Sequence, residues 1–300
     1  MPDEEAAAEA FGILSDPTRI AILEAFAEAL DRADLGDESM PVLSFSAVYD
    51  AVDVDSTSRL SYHLEKLDGT YLQHTDEGWQ FTFAGEAIVR LVLSGAYAGS
   101  VEFDPVEIDG RCPFCEAERL RVRVDDLMLF RECVDCERLT GGFSVTPAQL
   151  RDRDATSLLE STKAQMVSAF WRFRSAVCTE CGGATEVEVR ETPAAGAPND
   201  LIVTGRCMQC WRVLNGPPSL WLSNHPASVA FHWDRGVDVL SFGLHEVTER
   251  LMSGEWRTER VDDGEYEVSY RVSDAILRLR TDDDLSVLSA ERVRRDPMSE

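Results

Sequence analysis

The chain has 300 residues, with 55 acidic and 29 basic side chains and a net charge of −26. At 44% hydrophobic residues it can bury a core, which excludes a disordered acidic tail. No apolar run reaches the roughly 20 residues of a membrane span, and the acidic start Met1-Pro2-Asp3-Glu4-Glu5 is unlike a basic secretory leader. The expectation is a cytoplasmic protein with no membrane partner, of two to three domains on the prior of about 150 residues each.

The charge bears on partners too. Of the 29 cations only Lys66 and Lys163 are lysine. At ordinary ionic strength such acidity repels the phosphate backbone of DNA. At molar salt the screening length falls to about 3 Å, and surface carboxylates then maintain solubility at little cost in self-repulsion. High acidity with lysine nearly absent fits a halophile's cytosol, where the charge no longer excludes DNA.

Residues 1–100 contain no cysteine. The run from Ala6 to Leu14 reads as a helix. Asp16 is a good N-cap and Pro17 suits the first position of a second helix carrying Ile20, Ile22, Leu23, Phe26 and Leu30. Residues 31–41 form a polar loop. Ser44 or Ser46 caps a short helix with Val48, Tyr49 and Val52. After a turn at 53–55, Leu60, Leu64 and Leu67 stand at i, i+4, i+7, one buried stripe with the opposite face free. Residues 71–75 and 79–83 around Asp76-Glu77-Gly78 signal a β-hairpin, and a last helix covers about 84–96.

This order, with Leu14-Ser15-Asp16-Pro17-Thr18-Arg19-Ile20 followed by an aliphatic helix and Ser56 through Leu67 in register, resembles the ArsR-like winged helix-turn-helix regulators. The resemblance covers the first third of the chain, and the whole layout looks like haloarchaeal ArsR-like regulators with a cysteine-rich C-terminal half. It implies that residues 56–67 are a recognition helix, with Ser56, Ser58, Arg59, Ser61, Tyr62 and Lys66 free to meet double-stranded DNA. It also implies a homodimer, with helices 4–14 and 84–96 as the dimer surface. His63, beside the leucine stripe, reads as packed. Two features depart from the family. Residues 44–52 hold no cysteine or histidine, so metal sensing there is not carried over. The turn 76–78 has no cation, and residues 1–100 hold 19 acids against five bases.

The eight cysteines form four CxxC pairs, Cys112/Cys115, Cys133/Cys136, Cys178/Cys181 and Cys207/Cys210. Consecutive pairing leaves 17 and 25 residues between knuckles, and the first spacing is that of a four-thiolate zinc ribbon. Crossed pairing encloses 62 and 70 residues and costs roughly 2 kcal/mol more in closure entropy. Two structural zinc ions per chain are therefore expected; iron–sulfur ligation and redox chemistry are the alternatives for the same thiols. Residues 147–177 read mainly as helix and 194–200 as a loop. In the tail, alternation at 265–272 and 276–280, with 285–293 following, suggests a small β-sheet, while His225-Pro226 and residues 231–238 read as a packed strand-turn.

The fold class expected is α+β: a winged helix over 1–100, zinc ribbons at 101–146 and 178–217 separated by a helix at 147–177, and an α+β region at 218–300. No GxSxG, Walker, GxGxxG or HExxH motif is present, so no enzyme is expected. The function expected is transcription regulation through DNA, with the C-terminal half as an effector or assembly module for an effector of unknown identity. Alternatives are a protein-docking adaptor of the transcription machinery and a thiol redox sensor.

Overall fold

The computed structural model describes residues 3–32, 42–97, 102–151, 153–191 and 201–294. Most of the expected loop at 31–41, and all of that at 194–200, lie outside these. The chain divides into two compact units, Met1–Gly99 and Ser100–Glu300. Its class is mixed α+β, with ten α-helices and four small antiparallel sheets among the described residues.

The first unit runs α1 (Glu4–Ile13), α2 (Pro17–Arg32), α3 (Phe45–Ala51), α4 (Thr57–Leu67), β1 (Leu72–Thr75), β2 (Gly78–Phe81) and α5 (Phe83–Ser94). Capping decides the helix starts. Asp16 Oδ1 accepts from Thr18 N at 2.9 Å, Ser44 Oγ from Ala47 N at 3.2 Å and Ser56 Oγ from Arg59 N at 3.3 Å. The leucine stripe of α4 is fully buried with Ile22, Leu23, Phe26, Val48 and Phe81 in one core. Strands β1 and β2 pair as a hairpin whose two-residue turn is Asp76-Glu77. Leu43 bridges to Trp79 through two backbone hydrogen bonds of 2.9 Å. Gly85 is required by close approach: a Cβ there would lie 2.0 Å from the Tyr71 carbonyl oxygen.

The second unit begins with β3 (Val106–Ile108), β4 (Leu120–Asp125), β5 (Met128–Cys133) and β6 (Leu139–Ser144), a sheet in sequence order. The expected helix at 147–177 is two helices, α6 (Pro147–Arg151) and α7 (Ala155–Arg174). Asp154 restarts the helix by accepting from Ser157 N at 2.7 Å. A three-stranded sheet follows, β7 (Thr185–Glu191), β8 (Leu201–Cys207) and β9 (Val213–Gly216). Then come α8 (Pro218–Leu222), α9 (Pro226–Trp233) and α10 (Leu244–Met252), and a second four-stranded sheet, β10 (Trp256–Asp262), β11 (Glu265–Val272), β12 (Ala275–Asp282) and β13 (Val287–Arg294).

One core joins what the sequence divides at 177 and 217. Phe170 and Phe173 of α7, Val203 and Leu214 of the three-stranded sheet, Trp221 of α8, Phe231 of α9 and Trp256, Tyr270 and Leu279 of the last sheet belong to a single buried cluster. The expected strand-turn at 225–238 is instead the helix α9. Pro226 takes the first helical position, His225 Nδ1 accepts from Ala227 N at 3.2 Å, and Ser228, Phe231 and His232 present one buried face.

Burial depresses the pKa of His225, His232 and His245, the last to about 4. Nearby cations add to the effect: Arg174 for His225, Arg250 and Arg235 for His232, Arg131 for His245. A histidine held neutral in the fold but free to protonate when unfolded supports stability above the unfolded pKa, near 6.5, and loses that support as pH falls. The melting temperature of the chain in molar KCl should therefore fall between about pH 6.5 and 4, with a slope of at most roughly 1.4 kcal/mol per pH unit per histidine. His245→Gln should flatten that slope, and an unchanged profile would assign the acid loss to other groups.

Candidate metal centres

Each CxxC pair folds as a tight turn whose residue after the second cysteine takes a left-handed conformation. Those residues are Glu116 (φ 66°), Glu137 (φ 57°), Gly182 (φ 72°) and Trp211 (φ 65°). Only at 182 does the sequence supply the glycine that announces such a turn; at the other three an L side chain bears a cost of about 1 kcal/mol or more. In return the backbone closes. Cys112 N donates to Ala117 O at 2.8 Å, Cys133 N to Arg138 O at 3.0 Å, Cys178 N to Gly183 O at 2.9 Å and Cys207 N to Arg212 O at 2.8 Å.

The knuckles meet consecutively. Sγ of Cys112 lies 3.7 Å from that of Cys136, and Cys115 lies 3.6 Å from Cys133. In the second cluster Cys178–Cys210 and Cys181–Cys207 are both 3.5 Å apart. The four donor atoms of each cluster lie within 4.8 Å of one another. Thiolates 2.3 Å from one tetrahedral ion stand about 3.8 Å apart, so each cluster has the size of a mononuclear site. A multinuclear iron–sulfur cluster distributes its cysteines over separate irons and needs a wider set. The eight cysteines thus suggest two metal ions, each with four sulfur ligands.

Backbone N–H groups prepare the sulfurs for negative charge. Phe114 N points at Cys112 Sγ at 3.4 Å and Cys136 N at Cys133 Sγ at 3.5 Å. Around the second cluster Glu180, Gly183, Gln209 and Cys210 each donate a backbone N–H at 3.4 Å. The N–H groups and the crowding of the sulfurs set the thiols apart in acidity. Cys207 is drawn down to about 6, first by the Cys210 N–H, while Cys210 is pushed up to about 12: the Arg212 N–H favours its thiolate, but desolvation and the neighbouring sulfurs outweigh it. Cys133 falls to about 7 against the opposing effect of burial, through the N–H groups of Cys136 and Asp135 and contacts from Cys115 and Cys136. A cation that removes the remaining protons completes each set and leaves no open coordination position.

The residues expected to meet DNA lie on α4 in the other unit. Ser56, Ser58, Arg59, Tyr62 and Lys66 are exposed and Ser61 half-buried. Four of them already have local partners: Ser56 caps its helix, Arg59 pairs with Asp55 at 2.7 Å, and Lys66 Nζ sits 5.8 Å from the centre of the Tyr62 ring. His63 is 3% exposed, its Nδ1 3.8 Å from Asp16 Oδ2, which is also 3.8 Å from Arg19 Nη2. The two sequence motifs of this unit therefore meet in space. Sequence reasoning missed the N–H donors to sulfur and a cleft around Arg131. Alternation along Leu129-Phe130-Arg131, which puts an arginine on the side of a core leucine, was the signal for the cleft.

Residues 109–287 match the family described as a domain of unknown function, DUF7351, and since this is more than half of the chain, the protein belongs to that family. Residues 7–92 match a second domain of unknown function, DUF7347. No curated protein and no solved structure matches the chain. The two matches fall one on each compact unit, and the first spans both cysteine clusters.

Elemental analysis should find two metal ions per chain. Cys207→Ser should reduce that to one and lower the melting temperature more than Cys181→Ser, because Cys207 is 1% exposed within the main core and Cys181 is exposed. Equal losses would mean that the core does not depend on the ion.

Proposed function

We propose that the protein is a DNA-binding transcriptional regulator whose first unit is an ArsR-like winged helix and whose second unit is an effector or assembly module built on two structural zinc ions. The observation that carries the reading is α4: a capped helix that buries Leu60, Leu64 and Leu67 and leaves Ser58, Arg59, Tyr62 and Lys66 on the outside, followed directly by a hairpin. On this reading Arg59 exchanges Asp55 for a phosphate or a base edge, and the hairpin is the wing. Zinc is favoured by closed four-sulfur sets of mononuclear size. A homodimer is supported by apolar side chains left outside on the flanking helices, with Phe11 66% and Leu91 44% exposed. The setting proposed is a salt-rich cytosol, and no catalytic step is proposed.

A second reading has one specific observation in its favour. Trp211 and Met208, on the last knuckle, are 72% and 52% exposed, as residues that dock a protein partner would be. An adaptor of the transcription machinery would use that knuckle.

Chromatin crosslinking in the native host, followed by binding assays on the enriched fragments in molar KCl, separates the two. Arg59→Ala with Tyr62→Ala should weaken specific binding at least tenfold, by roughly 1–3 kcal/mol for each lost contact. Because the unit carries few cations, the salt dependence of binding should be shallow. Unchanged binding by the double variant, or a steep salt slope, would remove α4 as the reading element.

A further inference from the structure

The second unit contains a cleft that neither the metal centres nor α4 uses. Its outer part, about 560 Å³, opens between β3, β5, the start of α7 and Glu246 of α10. An inner chamber of about 30 Å³ is lined by Leu129, Phe143, Leu159 and Met166, with room for two waters or an ethyl-sized group. Arg131, Leu159, Lys163 and Glu246 wall both parts. Gly141 makes the construction possible, since a Cβ there would stand 2.8 Å from Leu244 Cβ and push α10 away.

Arg131 is the anomaly of this cleft. It pairs across the sheet with Val122 and Gly141 and so points to the core side, where it is half-buried. Among the described residues its buried Nε has no hydrogen-bond partner, and the one contact of Nη2 is with the Asp109 carbonyl oxygen at 3.5 Å. Its acidic neighbours Glu246 and Glu249 act across space, and Glu246 is already engaged by Lys163 at 3.4 Å and by Gly243 N at 2.9 Å. A desolvated guanidinium with open donors is matched by a planar carboxylate, which takes two of them at once.

The mouth of the cleft has the opposite character. Glu107, Asp154 and Glu160 stand there, Glu160 holding Lys163 at 3.1 Å with its own side chain 65% exposed. Those acids repel a dianion such as phosphate and attract a cationic group carried by the same ligand. The inner chamber limits the apolar part to one or two carbons. We propose that the cleft binds a small aliphatic α-amino acid as its zwitterion, with the carboxylate on Arg131, the ammonium toward Glu160 and Asp154, and the side chain in the inner chamber. On the regulatory reading this ligand is the effector, but its binding does not depend on that reading.

The test is calorimetric titration of the full-length, metal-loaded protein in molar KCl with L-alanine, propionate, ethylamine and inorganic phosphate. L-Alanine should bind one per chain, propionate at least tenfold more weakly, and ethylamine and phosphate not measurably. Arg131→Met should abolish alanine binding without lowering the melting temperature, because it replaces an unpaired half-buried charge by an apolar stem. Glu160→Gln, at an exposed position, should narrow the alanine-to-propionate ratio at least threefold; this variant decides the matter if Arg131→Met does not fold. Failure of alanine to bind, propionate or phosphate binding as tightly, retained binding in Arg131→Met, or an unchanged ratio in Glu160→Gln each overturns the proposal.

Discussion

The second unit depends on a single geometric constraint: a CxxC turn can aim two sulfurs at one point only if the residue behind it accepts a left-handed backbone. Four turns meet this requirement, three of them with an ordinary L side chain. The cost is offset by the backbone hydrogen bonds that close each turn and by N–H groups directed at sulfur. Coordination of an ion by four thiolates would add on the order of 10 kcal/mol per site. In the second cluster Cys178 and Cys207 lie inside the main core, so an ion held there would order the same residues as the hydrophobic cluster around Trp221. In the first, Cys112 and Cys133 share a small core with Leu120, at the base of the sheet that later supplies Arg131.

The first unit is held by apolar packing with caps at the ends of its helices. Its motifs meet where Asp16, Arg19 and buried His63 cluster. Burial alone would raise the Asp16 pKa, but the Thr18 N–H and the charges of His63 and Arg19 hold it below its ordinary value. This cluster fixes the start of α2 against the inner face of α4. The outer face is thereby left to side chains with short-range partners that a stronger one can displace.

The acidic composition has different consequences outside and inside. At the surface, carboxylates hold arginines in pairs such as Arg190–Glu188 and Arg292–Asp234, each worth little in strong salt. Inside, charge is arranged more tightly. Glu132, 7% exposed, accepts from Arg121 and Arg123, and Arg123 also covers the Phe130 ring at 4.4 Å. Next to this satisfied acid in the chain, and so on the other face of the same strand, Arg131 is left among the described residues without an equivalent partner. That contrast between adjacent faces is what makes the cleft a site rather than a gap in packing.

Much of this was determined by the sequence alone. Local chemistry placed the caps at Asp16, Ser44 and Ser56, the leucine stripe of α4, the hairpin at 72–81 and the consecutive pairing of cysteines, because each rests on residues close together in the chain. The proposal that the first unit reads DNA rests on the same local signals and on the resemblance they carry. Other features needed the tertiary structure. Residues 225–233 are helical because a proline start and a buried face at 228, 231 and 232 outweigh β-favouring aromatics. Residues 178–294 share one core because Trp221 and Phe173 fill the space between sheets distant in sequence, and no local pattern reports who fills whom. Arg131 came to line a cleft, with its Nε buried, only when α10, more than a hundred residues later, packed beside it.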